Sequence, residues 1–351
     1  MVRTDNLNID RYVPLTPPDA IKAEMPLTAQ AADTVVAARA ALENILSQRD
    51  PRLVAVVGPC SIHNRDEALR FAGKLGKLAT ACAERLLIIM RVYFEKPRTT
   101  LGWKGLLYDP DLNNSYDIEA GLRLARRILL DINELGVPAA TEILEPVIPQ
   151  YITDLVSWGA IGARTTESQT HRQMASGLSM PVGFKNATDG NLKSAIDGIR
   201  TALSPHAFIG ITGEGKVGIF RTRGNPFGHL ILRGGVNGPN YASEHIAFAR
   251  ELMRKSGLVP NILVDCSHGN TGKDPRRQAD VLRDVLGQLG RGETTIRGIM
   301  LESNLESGRQ DIPTDRRLLK PGVSVTDACL GWSETEALLR EAVDTLAVRF
   351  K

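Results

Sequence analysis

The chain of 351 residues lacks the features that define several large classes of protein. It contains no apolar run of about eighteen residues, which argues against a membrane-spanning helix. Aromatic residues make up only 5% of the chain, and no stripe of lysine and arginine with interleaved aromatics accompanies the net charge of +3. A nucleic-acid-binding protein is therefore not expected. The first twenty residues, MVRTDNLNIDRYVPLTPPDA, also lack the apolar segment of a signal peptide.

Cysteine is scarce and widely spaced, with only Cys60, Cys82, Cys266 and Cys329 in the whole chain. Such spacing in a long chain does not indicate a disulfide framework, and it favours a reducing compartment. We therefore expect a cytoplasmic protein that has neither a membrane nor a nucleic acid as its partner.

Short apolar runs alternate with helical patterns from residue 53 onward, and this alternation predicts an α/β protein with a parallel sheet. Eight such units in one chain fit a (β/α)8 barrel. A doubly wound sheet is the competing architecture, but no GxGxxG motif follows the first strand. The predicted strands are 53–59, 86–93, 139–143, 160–164, 181–186, 207–211, 262–266 and 296–302.

Two segments fall outside this alternation. Residues 1–30 are polar and rich in proline, and a probable helix over 31–47 follows them, so we predict an extension over 1–50 and a barrel over 51–351. The runs VGIFRT (217–222) and HLILRGG (229–235) predict a β-hairpin inserted after the sixth strand, at about 212–235.

A cluster of cations follows the second predicted strand, where segment 91–100 reads RVYFEKPRTT. Pro97 makes a helix unfavourable here, so a fixed loop is expected. Cations and hydroxyls at the mouth of a buried strand are suited to phosphate or carboxylate. The groups concerned are Arg91, Lys96, Arg98, Thr99 and Thr100.

Nearly every predicted strand ends in a charged or metal-binding residue. Because the carboxyl ends of barrel strands meet at one mouth, where active sites lie, these residues predict a single site. They are Cys60, Arg91, Glu142, Arg164, Lys185, Asp265, His268 and Glu302, with Asp327 in the loop before the last helix.

Two chemistries can be distinguished within this set. Cys60, His268, Glu302 and Asp327 offer sulfur, nitrogen and oxygen ligands suited to Mn, Fe, Co or Zn, although a structural role for each remains open. The second group consists of more cations than one phosphate requires, which suggests two anionic substrates side by side. Its members are Arg91, Lys96, Arg98, Arg164, Lys185 and Arg233.

Seven motifs resemble those of the class I 3-deoxy-D-arabino-heptulosonate-7-phosphate (DAHP) synthases, in particular the feedback-regulated bacterial and fungal subtype. The resemblance covers essentially the whole chain. The motifs are GPCSIH (58–63), RVYFEKPRTTLGWKGL (91–106), GARTTESQTHR (162–172), PVGFKN (181–186), HLILRGG (229–235), DCSHGN (265–270) and VTDACLGW (325–332).

The resemblance implies an enzyme that condenses phosphoenolpyruvate with erythrose 4-phosphate and water, giving DAHP and phosphate. It implies one divalent metal ion held by Cys60, His268, Glu302 and Asp327. It also implies a phosphoenolpyruvate site at Arg91, Lys96, Arg164, Lys185 and Arg233, and an erythrose 4-phosphate site at Lys96, Pro97, Arg98 and Thr99 with Asp327 at the hydroxyl end. Lys96, Arg91, Lys185 and His268 are the expected catalytic residues. The group that activates the attacking water stays open between Glu142, His268 and a metal-bound water.

Feedback control and assembly are further implications of the resemblance. The N-terminal arm and the hairpin are expected to form an effector site for an aromatic amino acid, with the arm supplied by a neighbouring subunit of a homodimer or homotetramer. The motifs favour tyrosine over phenylalanine and tryptophan. The expected effector residues are Asn6, Pro149, Gln150, Met174, Leu178, Ser179, Phe208, Gly210 and Phe220.

Two other functions compete with this interpretation. A 3-deoxy-octulosonate-8-phosphate synthase would perform the same condensation on arabinose 5-phosphate, although the KPRTT segment and the long arm argue against it. The other is a non-catalytic barrel that only senses aromatic amino acids or sugar phosphates. A silent barrel has no reason to retain all four candidate metal ligands.

Overall fold

A closed barrel of eight parallel strands forms the centre of the molecule, as the computed structural model of residues 4–98 and 100–347 shows. The strands follow one another around the barrel in the order β1, β2, β3, β4, β5, β8, β9 and β10, and β10 closes on β1. The strands are β1 Leu53–Gly58, β2 Leu86–Arg91, β3 Ala139–Glu142, β4 Trp158–Ile161, β5 Val182–Lys185, β6 Ala207–Ile211, β7 Val217–Arg221, β8 Gly228–Leu232, β9 Ile262–Asp265 and β10 Ile296–Glu302.

Helices surround the barrel, and several begin at a side chain that caps the helix. Asn64 accepts a hydrogen bond from the backbone N–H of Glu67 at the start of α3, and Asp117 does the same for Ala120 at the start of α4. The helices are α1 Pro18–Glu24, α2 Ala29–Leu46, α3 Arg65–Cys82, α4 Ile118–Glu134, α5 Pro149–Ile152, α6 Gln169–Ala175, α7 Lys193–Leu203, α8 Ser243–Lys255, α9 Gln278–Gly290 and α10 Trp332–Leu346. None of these described helices combines the length and apolar character needed to cross a membrane.

The predicted barrel and an inserted hairpin are confirmed, but the sixth barrel strand and the position of the hairpin were wrong. The segment 207–211 is not a barrel strand, because it pairs antiparallel with 217–221 in a separate two-stranded sheet. The sixth barrel strand is β8, Gly228–Leu232, so the hairpin precedes that strand. Both segments are apolar runs of five residues, but β8 is buried almost throughout whereas β6 is exposed at alternate positions. Apolar content alone did not separate them.

The lower part of the barrel interior is apolar and is closed by α2 from the N-terminal extension. Leu42 and Ile45 of this helix pack against interior residues that include Trp158 and Met300. Asn261, which directly precedes β9, donates a hydrogen bond to the carbonyl of Leu46 at 3.0 Å. The helix therefore covers the amino ends of the strands, and the carboxyl ends are left for the site.

Candidate active site

Five barrel strands end in a buried charged residue, as the strand pattern predicted. Each of these residues is at most 6% exposed, and each is the last residue of its strand. Burying a charge is costly unless it is paired. The five groups are therefore expected to pair with one another, and they are Arg91, Glu142, Lys185, Asp265 and Glu302.

Arg91 is the most constrained of these groups. Its Nη2 lies 2.9 Å from Glu302 Oε1, and its Nε donates to the carbonyl of Pro59 at 3.1 Å. Its guanidinium carbon lies 3.6 Å from the ring centroid of Tyr93, which is a cation–π contact. Burial alone would lower the pKa of Arg91, but Tyr93 and Glu302 more than offset it and raise the pKa above its ordinary value.

Lys185 and Glu142 form a second buried pair, with Nζ and Oε2 3.1 Å apart. Burial alone would raise the pKa of Glu142, but Lys185, Lys96 and Arg91 together hold it below its ordinary value. Glu142 is therefore a carboxylate at neutral pH. Lys185 Nζ also lies 3.9 Å from Asp265 Oδ2, which links this pair to the next strand.

His268 is held by the end of β9. Its backbone has a φ of +53°, an uncommon value for a side chain other than glycine, and its Nδ1 lies 2.9 Å from Asp265 Oδ2. Despite full burial, His268 and the nearby cations keep the pKa of Asp265 well below its usual range. The contact with Asp265 uses Nδ1. The other ring nitrogen, Nε2, lies 3.5 Å from Glu302 Oε1.

Three of the four predicted metal ligands come together. The ligand atoms of Cys60, Glu302 and Asp327 all lie within 4.8 Å of one another. His268 borders this group through its contact with Glu302, but among the described residues it is not within that distance of all three. Burial and Glu302 raise the pKa of the Cys60 thiol, against the opposing effect of Lys96, whose Nζ lies 3.1 Å from Cys60 Sγ.

A polar cavity of about 280 Å³ opens above these groups. Thr99 lies outside the described residues, and Cys60 and Glu302 are buried without lining the cavity. The other predicted catalytic and substrate residues all line it, namely Arg91, Lys96, Pro97, Arg98, Glu142, Arg164, Lys185, Arg233, His268 and Asp327.

Sequence reasoning missed one cation in this cavity. Lys273 Nζ donates to Asp327 Oδ1 at 3.2 Å, so it neutralises one of the predicted metal ligands. Its position five residues after His268, in the loop that follows β9, was the only signal that could have identified it.

A buried amide network was also missed, although it holds the loops that carry Arg233 and His268. Asn186 Oδ1 accepts from the backbone N–H of Arg233 at 2.8 Å and from Asn240 Nδ2 at 3.1 Å. Asn270 Oδ1 accepts from the backbone N–H of Asn240, and Asn270 Nδ2 donates to the carbonyl of Asp265. Three asparagines therefore connect the loops after β5, β8 and β9.

Close backbone contact accompanies this network. Gly234 has a φ of +68°, and a Cβ there would lie 2.4 Å from the carbonyl carbon of Gly269. Only glycine allows this approach between the loops after β8 and β9.

A second pocket of about 320 Å³ lies between the hairpin and the loop after β3. Phe208 and Phe220 stack at 5.6 Å between ring centroids on one wall. Among the predicted effector residues, the exposed Ser179 does not line this pocket, and neither does Asn6 of the arm. The others do, namely Pro149, Gln150, Met174, Leu178, Phe208, Gly210 and Phe220.

Fold and site together define a class of protein. A (β/α)8 barrel whose mouth combines a thiol and carboxylate group with seven cations of lysine and arginine is an enzyme for small phosphorylated substrates.

Comparison with known proteins identifies the family. The model of the DAHP synthetase I family matches residues 24–340. The chain is 51% identical over 337 residues to the Tyr-sensitive phospho-2-dehydro-3-deoxyheptonate aldolase of Escherichia coli, covering 96% of this chain and 94% of that protein. It is 49% identical over 347 residues to the Phe-sensitive protein of the same organism, covering 99% of both. The chain belongs to the DAHP synthetase I family.

A solved structure gives the same result. The phospho-2-dehydro-3-deoxyheptonate aldolase of Francisella tularensis superimposes with a TM-score of 0.95 at 46% identity, covering 97% of this chain and 99% of that one. The chain is therefore a 3-deoxy-7-phosphoheptulonate synthase, which condenses phosphoenolpyruvate with erythrose 4-phosphate and water to give DAHP and phosphate. The reaction of this family depends on a metal ion.

Proposed function

We propose that the polar cavity is where this condensation takes place and that each predicted residue has a separate role there. The single observation that supports this proposal is the meeting of two groups at one mouth. Two of the cations that line the cavity, Arg91 and Lys96, contact Glu302 and Cys60 of the group of Cys60, Glu302 and Asp327. One group is suited to two anionic substrates, and the other to a divalent ion.

Phosphoenolpyruvate binds across the deep part of the cavity in this proposal. Arg164, Lys185 and Arg233 hold its phosphate, because cations and fixed guanidinium groups match phosphate oxygens. Arg91 fixes the carboxylate end, since its own position is fixed by Glu302 and Pro59. As phosphate leaves the tetrahedral intermediate, the same three cations stabilise its charge.

Erythrose 4-phosphate lies beside it. Lys96, Pro97, Arg98 and Thr99 form its binding site, and Asp327 lies at the hydroxyl end. Burial alone would lower the pKa of Lys96, but Cys60, Glu302 and Glu142 raise it above its ordinary value. Lys96 is therefore protonated at neutral pH and is suited to donate a proton or a hydrogen bond to the aldehyde oxygen as C3 of phosphoenolpyruvate attacks.

The donor set fits a divalent metal ion. One thiol and two carboxylates within 4.8 Å of one another, with an imidazole at the edge, would suit Mn, Fe, Co or Zn better than Mg or Ca. Cys60, His268, Glu302 and Asp327 would hold the ion. A divalent ion bound there would supply Lewis-acid stabilisation of the developing alkoxide.

The consumption of phosphoenolpyruvate tests the assignment of the cavity. Purified enzyme should consume it with erythrose 4-phosphate, lose activity in EDTA and regain it with Mn. The Lys96→Ala variant should lose turnover by a factor of about 10²–10⁴, whereas Lys77→Ala, on the exposed face of α3, should not. Activity that survives EDTA would contradict the metal site. Faster reaction with arabinose 5-phosphate would favour the octulosonate synthase instead.

The second pocket is proposed to bind an aromatic amino acid that inhibits the enzyme. The relatives are named Tyr-sensitive and Phe-sensitive, and the stacked Phe208 and Phe220 offer an aromatic wall for a ring. Tyrosine is favoured over phenylalanine and tryptophan. Calorimetric titration with each of the three should identify one that binds and also inhibits, and an enzyme insensitive to all three would contradict this assignment.

Self-association is proposed to complete the effector site, with residues 1–50 acting as a regulatory and oligomerisation extension. The hairpin exposes an apolar face formed by Ile209, Val217 and Ile219, and the arm exposes Tyr12 and Val13. These surfaces fit a homodimer or homotetramer in which the arm, with Asn6, lies on a neighbouring hairpin. Sedimentation should detect an oligomer that Ile219→Lys weakens, and a monomer at assay concentration would contradict it. We also propose that the enzyme is cytoplasmic.

A further inference from the structure

A short loop joins the two pockets. Glu142, the last residue of β3, lines the polar cavity, and Pro146, four residues further along, lines the hairpin pocket. Only residues 143–145 separate them. A displacement of this loop at one pocket therefore has only three residues to cross before it reaches the other pocket.

The middle of this loop is held by a buried carboxyl that the reaction does not use. Glu95, which is 4% exposed, accepts hydrogen bonds from the backbone N–H of Leu144 at 3.3 Å and of Glu145 at 3.2 Å. Tyr108 Oη donates a third, at 3.2 Å. Glu95 directly precedes Lys96, so one residue contacts the loop after β3 while its neighbour lines the polar cavity.

The loop is also held from its other side. His171 Nε2 lies 2.6 Å from the carbonyl oxygen of Leu144, and His171 Nδ1 lies 2.8 Å from Ser168 Oγ. His171 belongs to α6, and Met174 of the same helix lines the hairpin pocket. The N–H of Leu144 is thus hydrogen-bonded to Glu95, in the segment that carries Lys96. Its carbonyl is in contact with His171, in the helix that forms a wall of the hairpin pocket.

We propose that Glu95 is a positioning residue that couples the hairpin pocket to Lys96, and this rests on the proposed function of that pocket as the effector site. A ligand that moves Pro146 moves the amides of Leu144 and Glu145. Breaking these two hydrogen bonds is unfavourable, so the Glu95 carboxyl follows the two amides and displaces Lys96. The hydrogen bond from Lys96 N to the carbonyl of Lys104, at 2.9 Å, extends the displacement to Lys104.

The Glu95→Gln variant tests this coupling. A glutamine offers only one acceptor oxygen to the three donors that Glu95 binds, and its NH₂ group would face an N–H or O–H donor with which it cannot form the same hydrogen bond. Its expected effect is on coupling rather than on effector affinity. In the wild type, the bound amino acid should weaken the binding of phosphoenolpyruvate or erythrose 4-phosphate by a factor of roughly 5–150. The substrate should in turn weaken binding of the amino acid by the same factor. In Glu95→Gln this factor should fall to about threefold or less, while the effector Kd without substrate stays within about threefold.

Calorimetric titrations of tyrosine, phenylalanine and tryptophan, with and without phosphoenolpyruvate, measure both quantities without relying on turnover. Glu145→Gln is the matched control, because it removes an exposed carboxylate from the same loop and keeps the amide that Glu95 binds. This control should retain the full coupling factor.

The outcomes separate the inference from the proposal on which it depends. If the wild type binds none of the three amino acids, the effector site itself is wrong. If the wild type is coupled and Glu95→Gln is equally coupled, the role of Glu95 is overturned. Should Glu95→Gln fail to fold, Tyr108→Phe removes the third hydrogen bond alone and should lower the coupling partially. Unchanged coupling in that variant would also overturn the role.

Discussion

The polar cavity and the hairpin pocket differ in how they are built. The cavity consists of groups at and just beyond the ends of barrel strands, where buried ion pairs such as Arg91 with Glu302 hold several of the side chains. The hairpin pocket consists of loops, two short helices and an inserted hairpin, and its wall is partly exposed. The barrel itself therefore supplies the reactive site, and an insertion supplies the second pocket. We therefore expect mutations in the cavity to reduce catalytic activity without abolishing effector binding, and mutations in the hairpin pocket to do the reverse.

The largest expected effect comes from the floor of the cavity. Lys185→Met removes a cation that we propose binds phosphate, and it leaves Glu142 buried without its partner. Breaking such a buried pair costs about 3–5 kcal/mol, so thermal stability should fall together with kcat/KM. Binding of the aromatic amino acid should persist in calorimetry if the pockets are separable.

The control for that variant is an exposed ion pair on the barrel exterior. Lys193→Ala removes a lysine that pairs with Asp197 on the surface of α7. Surface pairs contribute about 0–1 kcal/mol, so activity and melting temperature should change little. Equal losses in the two variants would contradict the buried pairing described for Lys185.

Removal of the metal should separate the pockets without any mutation. Chelation should abolish turnover and lower the melting temperature, because a ligand at 100 times its Kd stabilises the folded state by about 2.7 kcal/mol. Effector binding, measured by calorimetry on the chelated enzyme, should remain. Loss of effector binding on chelation would show that the two sites are built as one.

The hairpin pocket offers the converse test. Phe220→Ala removes one ring of the stacked pair with Phe208, and the loss of that wall should weaken effector binding about tenfold, equivalent to about 1.4 kcal/mol. Steady-state kcat without effector should stay within about twofold, since the pair lies outside the barrel. Phe248→Ala, at an exposed phenylalanine of α8, is the control and should alter neither value.

The smallest effect at assay pH concerns the barrel interior. Trp158 Nε1 donates to His229 Nε2 at 3.0 Å, and burial lowers the pKa of His229 to about 4. Its folded pKa lies below its ordinary value of 6.5, so the unfolded chain binds more protons between these values. The free energy of unfolding should therefore be unaffected above about pH 7 and fall as the pH drops towards 4.

The loss attributable to His229 is at most about 3 kcal/mol. Melting temperatures of the wild type and His229→Gln at pH 7 and pH 5 measure it, and the variant should lose less on acidification. His63, whose pKa burial also lowers to about 4, adds to the loss in both proteins and cancels in the comparison. An identical pH dependence in both proteins would contradict the assignment to His229.

Much of the cavity was predictable because barrel geometry converts a position along the chain into a position in space. Arg91, Glu142, Lys185, Asp265 and Glu302 each end an apolar run, and the fold brings such ends together. The amide network of Asn186, Asn240 and Asn270 could not be predicted, because nothing in an asparagine's local sequence shows which distant backbone groups it bonds. Lys273 was missed although its position in the loop after β9 was a signal.

The hairpin shows where local pattern fails. β6 and β8 are both short apolar runs, and only their pairing distinguishes a strand buried on two faces from one buried on a single face. The effector residues were expected from family resemblance alone. The pocket includes most of them, but Ser179 and Asn6 do not line it within a single chain.

By itself, the sequence determined the barrel class, the polar mouth and the family, because the alternation of apolar runs and the motifs at their ends are local features of the chain. Tertiary structure alone decided which strand is sixth, which amides hold the loops and how Glu95 contacts the loop after β3. These depend on contacts between residues up to 54 positions apart. Such contacts form only when the barrel closes, and no local pattern encodes them.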